Sequence, residues 1–497
     1  MTQSTRRPLA RPLALALAAM LAALPAPERP LAEARPASEQ RVGDENHPKI
    51  LNQFGGEVRD EALRAYVDRI GRRLVEVTDE AGEPWTFTVL DTPVVNAFAL
   101  PGGYVYVSRG LIALANDEAE LAGVIGHEIG HVVASHGASR NERAGWAQLG
   151  LAVGTIVGAV VGIPGETLQV LNQLGAAGAQ GLIASYSREQ ELEADRLGVE
   201  CLAKAGYDPD AQADFLASLK NETALQATIA GQAYNPNRVD FFASHPATGE
   251  RVRKAARLAE QYDTEERTPR FRKRFYEAID GMIYGDSPAQ GMVRGGRFVH
   301  PELRFAFEAP EGFRIQNAAA NVTMAGPQGA GIVFDGDQGR RQDPEAYIAR
   351  TWAPAIARQA RVGQLSGMKR GKIGGLDAAF ATMPVETQQG VRILRLTAIR
   401  DGDAIWRFMG VQPQGEDRLG AVMDRAAESF RNLSAEEASA FKPQRIKVHE
   451  VRAGETPASL ARRAAFGDRA EERFRVLNGL APSGELREGQ KVKLVVE

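Results

Sequence analysis

The sequence contains a single cysteine, Cys201. No intramolecular disulfide and no cysteine-based zinc site can form within it. Cys201 itself reads as a small buried apolar residue. Charge of one sign is also lacking. A formal net charge of -3 at pH 7 over 497 residues gives no reason to expect nucleic acid or a strongly anionic membrane as partner. The apolar run at residues 13–24 falls short of the roughly 20 residues needed to span a bilayer. No cysteine follows that run, which argues against a lipid anchor. Fixed-period repeats are missing as well, which leaves no signature of a solenoid or propeller.

What remains is an ordinary globular composition, 44% hydrophobic and 25% charged, on a chain long enough for about three domains. Arg6, Arg7 and Arg11 precede the short apolar run, and Ala32-Glu33-Ala34 follows it. This order of charge, apolar core and small residues predicts a secretory signal peptide over residues 1–34 and export to a periplasm.

The chemistry is concentrated in His127-Glu128-Ile129-Gly130-His131. Ala119, Ala122, Ile125, Ile129 and Val133 recur at helical spacing, so residues 118–136 are predicted to form one amphipathic helix. Residues four apart share a helix face, so His127 and His131 can present two imidazoles to one metal ion. Glu128 stands beside them as the candidate general base. This is the zinc metalloprotease signature. A hydrolytic zinc site keeps three protein ligands and an open position. A three-histidine motif would need histidine at 137, where the chain has Gly137, and His136 is assigned a structural role. Glu191 is the best third ligand, on its own helix at residues 187–205. Asp195, one turn on, is placed to accept the outer N–H of a ligating histidine. His245 and Arg251 are nominated as donors to the developing oxyanion. His245 could instead fill the open position and shut the site.

Around this core the pattern predicts a polar linker, a helix at residues 58–75 with Leu63, Tyr66, Val67, Ile70 and Leu74 on one face, and strands near 85–90, 96–100 and 104–107. The last two strands form a hairpin that could hold an extended substrate. In residues 146–163, Gly150, Gly154, Gly158 and Gly162 form a stripe. A membrane-touching hairpin and a buried helical pair both fit it. From residue 297 strands are expected at 298–313, 330–334, 391–396 and 404–409, with helices at 344–359 and 419–430. His300 there reads as structural. A small βααβ unit closes the chain.

HEIGH, the Glu191-x-x-x-Asp195 of SREQELEADRLG, the NAFALPGG hairpin and His245-Pro246 with Arg251 together resemble the gluzincin CAAX prenyl endopeptidases, specifically their soluble bacterial periplasmic branch. The resemblance covers residues 46–284. It implies one zinc on His127, His131 and Glu191, Glu128 as base, and unfolded or misassembled envelope proteins as substrates. Residues 446–497 resemble a LysM module, which implies peptidoglycan binding. The expected architecture is α+β multidomain. A mainly helical zincin-type domain with a small sheet (46–284) precedes an α+β accessory domain (297–435) and the LysM-like unit (446–497). A second class of function stays open, a wall-associated chaperone or scaffold whose protease site is held closed.

Overall fold

The computed structural model describes residues 35–136, 186–229, 245, 248–262, 269–337, 341–358, 360–387 and 390–497. The expected signal peptide and the glycine-striped segment lie outside them. No helix among the described residues is long and apolar enough to cross a membrane.

The stretch read as a polar linker is a helix, α1 (Ala37–Gln53). It buries only a narrow edge, Ile50 with the following Phe54, among Leu90, Phe98, Leu100 and Tyr106. So few apolar positions leave little periodicity to read. Helix α2 (Glu61–Val75) starts where Asp60 caps the backbone N–H of Leu63, and it buries the five-residue face that its periodicity predicted. Strands β1 (Thr86–Leu90), β2 (Ala97–Leu100) and β3 (Tyr104–Ser108) form one sheet in the order β1-β3-β2. The β2–β3 pair is the expected antiparallel hairpin, whose turn holds Gly102 and Gly103 at positive φ. Strand β1 lies parallel to β3, so β2 is left as an edge.

Helix α3 (Arg109–Leu114) leads into α4 (Glu118–Val133), capped by Asp117 accepting from the Glu120 N–H. Every residue of α4 from Glu118 to Val132 is buried. The amphipathic expectation is therefore corrected. Helix α4 runs through the middle of the unit, so its polar residues face partners rather than water. Helices α5 (Arg188–Lys204), α6 (Ala211–Ile229), α7 (Gly249–Ala259) and α8 (Arg272–Ile279) complete this part.

The accessory region is richer in strand than its sequence suggested. Seven antiparallel strands form one sheet, which includes an unexpected hairpin, Ser366–Ile373 with Leu376–Thr387. Its inward residues include Ala379, Ala381 and Met383, which are weak strand signals beside Pro384. One face carries Tyr347, Ile348, Trp352 and Ile356 from the expected helical stretch. The other packs Phe298, Phe305, Phe307, Phe334, Trp406 and Phe430 into an aromatic core. His300 is buried here and accepts the Leu303 backbone N–H at 3.2 Å.

The C-terminal part has the element order Gln444–Glu450, Pro457–Ala461, Ala470–Leu477 and Lys491–Val496, a strand, two helices and a strand. The two strands pair antiparallel, and the first also pairs with Ile283–Tyr284. This joins the chain on either side of the accessory region. Lys493, fully buried, donates from Nζ to the carbonyls of Ala113 (2.8 Å), Leu114 (3.2 Å) and Ala115 (2.6 Å). The final carbonyls of a helix lack intrahelical donors and favour a cation. Burial lowers the Lys493 pKa, against the pull of Glu120 and Asp117.

Two outcomes are expected. Lys493→Met strips three buried carbonyls of their donor and should cost about 2–4 kcal/mol; a urea midpoint equal to wild type would refute this. Burial pushes the His300 imidazole from 6.5 down to about 4. Between those values the unfolded chain binds more protons, so stability falls as pH drops from 6.5 to 4. His300→Asn should flatten that slope in thermal melts. Parallel pH profiles would show that His300 does not cause it.

Candidate metal centre

Helices α4 and α5 meet across glycines. A Cβ at Gly198 would lie 3.1 Å from the His127 backbone nitrogen, and one at Gly130 would lie 3.1 Å from the Ala194 carbonyl. Without side chains there, the faces bearing His127 and His131 on α4 and Glu191 and Asp195 on α5 close on one another. His127 Nε2 stands 3.1 Å from His131 Nε2 and 3.6 Å from Glu191 Oε2. His131 Nε2 is 3.4 Å from Glu191 Oε1. His245 adds a fourth donor, its Nδ1 lying 3.2 Å from His127 Nε2 and 2.8 Å from Glu191 Oε1. Ligand atoms about 2.1 Å from a tetrahedral ion stand about 3.4 Å from each other, so this set fits one metal ion. All four residues are buried.

Electrostatics favour the ligand form of His131 and Glu191 but not of His245. Burial drives the His131 imidazole well below its ordinary pKa, which leaves the neutral form a metal requires. Burial opposes ionisation of Glu191, but His245 and Arg251 hold its carboxyl well below the usual range. Burial likewise acts against Asp195, and Arg251 and His127 overcome it. For His245 burial lowers the pKa, while Glu191 and Glu128 raise it above the ordinary value. Glu128 sits beside the cluster, its Oε1 3.5 Å from His245 Nε2 and its Oε2 buried with no hydrogen-bond partner.

The supporting contacts are specific. Asp195 Oδ1 lies 3.0 Å from His127 Nδ1, the ring nitrogen turned away from the donor cluster. Arg251 is engaged by two carboxylates. Its Nε and Nη2 donate to Asp195 at 2.8 Å each, and its Nη1 lies 2.7 Å from Glu191 Oε2. Two carboxylates engage the guanidinium, so its evident work is to hold them in place. His136 packs against the cluster. Its Nδ1 lies 2.8 Å from His131 Nδ1, and its Nε2 lies 3.2 Å from Glu193 Oε2. The helix ends at Val133, and Ser135 at φ 52° turns His136 back over His131. Helical spacing could not reveal this. Tyr186, stacked on His131 at 3.6 Å, and Gln212, donating to Asp195 at 3.3 Å, were likewise missed.

Beside the cluster lies a cavity of about 40 Å³, lined by Asn96 and Ala97 at the start of β2, by His127, Glu128, His245 and Arg251, and by Phe215, Leu216 and Leu219 of α6. The edge strand thus borders the candidate base.

Residues 61–259 match the model of Peptidase family M48. That stretch of the chain is similar to the M48 peptidases. Over 208 residues it is 34% identical to a putative beta-barrel assembly-enhancing protease of Vibrio cholerae, covering 41% of either chain. It is 30% identical over 229 residues to the beta-barrel assembly-enhancing protease of Escherichia coli, covering 45% of this chain and 44% of that one. To the mitochondrial metalloendopeptidase OMA1 of Schizosaccharomyces pombe it is 27% identical over 219 residues, covering 44% of this chain and 59% of that one. The chain therefore spans 41–59% of the length of these relatives.

Arg251→Gln leaves Glu191 and Asp195 without their cation. It should weaken metal affinity by about 10–100-fold, measured by competition with a chromophoric chelator. Unchanged affinity would remove Arg251 from the metal support.

Proposed function

We propose that this chain is an exported zinc-dependent endopeptidase that hydrolyses unfolded or misassembled envelope proteins in the periplasm. The observation that carries the reading is the convergence of donor atoms from His127, His131 and Glu191 with the unpartnered Glu128 carboxylate oxygen beside them. The M48 match supports a peptidase. The names of the bacterial relatives, beta-barrel assembly-enhancing proteases, support envelope proteins as substrates. Within the family we assign the chain to the soluble periplasmic branch resembling the CAAX prenyl endopeptidases.

His127, His131 and Glu191 would hold one zinc ion per chain. Zinc, when bound, acidifies a water and polarises a carbonyl. Glu128 takes the proton of the attacking water and delivers it to the leaving amide nitrogen. Asp195 fixes the tautomer and angle of His127, and Arg251 fixes both carboxylates. Strand β2 lines up the substrate backbone by edge pairing. Residues 446–497 serve as a LysM-like unit that binds peptidoglycan and retains the enzyme at the wall.

The second reading, a scaffold or chaperone whose protease site is held closed, draws on His245. Four donors around one ion leave no open position, which is the arrangement of a structural site.

The test uses the full chain with a reduced, carboxymethylated protein as substrate. The proposal expects one zinc per chain, loss of hydrolysis on chelation and recovery on adding zinc. Glu128→Gln should keep the metal and lose about 10²–10⁴-fold in turnover. Stoichiometric zinc with equal hydrolysis by wild type and Glu128→Gln would sink the assigned base. If His245 closes the site, His245→Ala raises turnover; a fall would place His245 on the catalytic side.

A further inference from the structure

The two histidines of α4 are held from behind by unlike partners. His127 Nδ1 meets a carboxylate, Asp195 Oδ1 at 3.0 Å. His131 Nδ1 meets a second imidazole, His136 Nδ1 at 2.8 Å. His136 Nε2 in turn lies 3.2 Å from Glu193 Oε2. His131 and His136 are buried, whereas the Glu193 side chain is half exposed. The row therefore runs from the donor cluster to the surface. It ends on α5, the helix that also carries Glu191 and Asp195.

The backbone is bent to make this row. After Val133 the Ser135 N–H donates to the Val132 carbonyl, and Ser135 takes φ 52°, which is uncommon for a residue other than glycine. The His136 N–H then donates to the His131 carbonyl at 3.0 Å. That bond brings His136 back to the residue five before it and sets the two rings edge to face, their centroids 5.0 Å apart.

One arrangement of protons satisfies all three groups when His131 serves a metal ion. His131 Nε2 lies in the donor cluster with His127 and Glu191, so it must offer a lone pair there. The proton of the neutral ring is then on Nδ1. Two N–H groups cannot face one another, so His136 Nδ1 accepts. The proton of His136 is left on Nε2, where the Glu193 carboxylate accepts it. Stacking by Tyr186 does not replace this bond. Tyr186 lies on the His131 ring at 3.6 Å, the planes 16° apart, and so fixes the plane of the ring. A half-turn about the Cβ–Cγ bond keeps that plane and puts Cε1 where Nε2 stood. A partner that tells Nδ1 from the carbon opposite it chooses between the two orientations.

We propose that His136 is a positioning residue for the metal. It accepts the His131 Nδ1–H, selects the ring orientation that turns Nε2 to the ion, and is itself oriented by Glu193. This rests on the reading of His127, His131 and Glu191 as metal ligands. The two imidazoles of α4 are then oriented by different means, His127 by a buried carboxylate and His131 by a neutral ring. Glu193 stands in water on one side and contributes less than His136.

The test uses the full chain. Metal affinity is read by competition with a chromophoric chelator, and ligand geometry by the visible ligand-field bands of the cobalt(II)-loaded protein. His136→Phe keeps a ring and removes the acceptor. It should weaken affinity about 10–100-fold and shift the bands. In His136→Asn the amide oxygen stands as many bonds from Cα as Nδ1 does, so most of the affinity and the wild-type bands should return. Glu193→Leu should weaken affinity about fivefold. Unchanged affinity and bands in His136→Phe overturn the proposal. So do equal losses in His136→Phe and His136→Asn, which would make the role one of ring packing. If His136→Phe does not fold, Glu193→Leu decides, and an affinity equal to wild type overturns the proposal. A wild-type chain that binds no metal overturns it together with the ligand reading. A wild-type chain that binds zinc and cuts no unfolded protein overturns the endopeptidase reading alone, and the role of His136 stands on affinity and bands.

Discussion

The close approach of α4 and α5 is the constraint on which the site depends. Gly130 and Gly198 remove the side chains that would hold the two backbones apart. Only then can imidazoles from one helix and carboxylates from the other reach a common point. That approach collects charge in a buried place, where unpaired carboxylates are costly. Arg251, arriving on α7, bridges Glu191 and Asp195 and makes the arrangement tolerable. The same guanidinium keeps both carboxylates ionised, which is the state a metal needs. Packing and electrostatics are one device here, since neither the glycine contact nor the arginine alone would assemble the donor set.

The start of α4 is anchored with equal care. Asp117 meets Arg270 and Arg272, and Glu118 accepts from Tyr66 and Tyr207 and pairs with Arg274. Lys493 caps the helix immediately before it. These partners come from α2, from the turn after α5, from the chain around α8 and from the last strand of the protein. Helix α4 is therefore tied to distant parts of the chain at the end opposite its histidines. Strand pairing of Ile283–Tyr284 with Gln444–Glu450 fastens the C-terminal unit to the segment that follows α8.

Much of the site could be read from the sequence because helices impose it locally. Spacings of four placed His127 with His131 and Glu191 with Asp195 on shared faces, and the α2 face emerged residue for residue. Reading failed where local pattern is a poor guide. Helix α4 looked amphipathic because its apolar residues are periodic, yet it is buried all round. Helix α1 looked like linker because it buries so little. The hairpin at Ser366–Thr387 was hidden by alanines that satisfy a strand only through their neighbours.

The sequence by itself determined which residue types could bind a metal and which pairs of them share a helix face, because φ and ψ near one value repeat every 3.6 residues regardless of what surrounds them. Tertiary structure decided the rest. It turned His136 onto His131, set His245 beside His127 and Glu191, and placed Arg251 between two carboxylates. It also set Lys493 beneath Ala113 across 380 positions of chain. Contacts of that kind follow from how whole elements pack, and no spacing along the sequence encodes them.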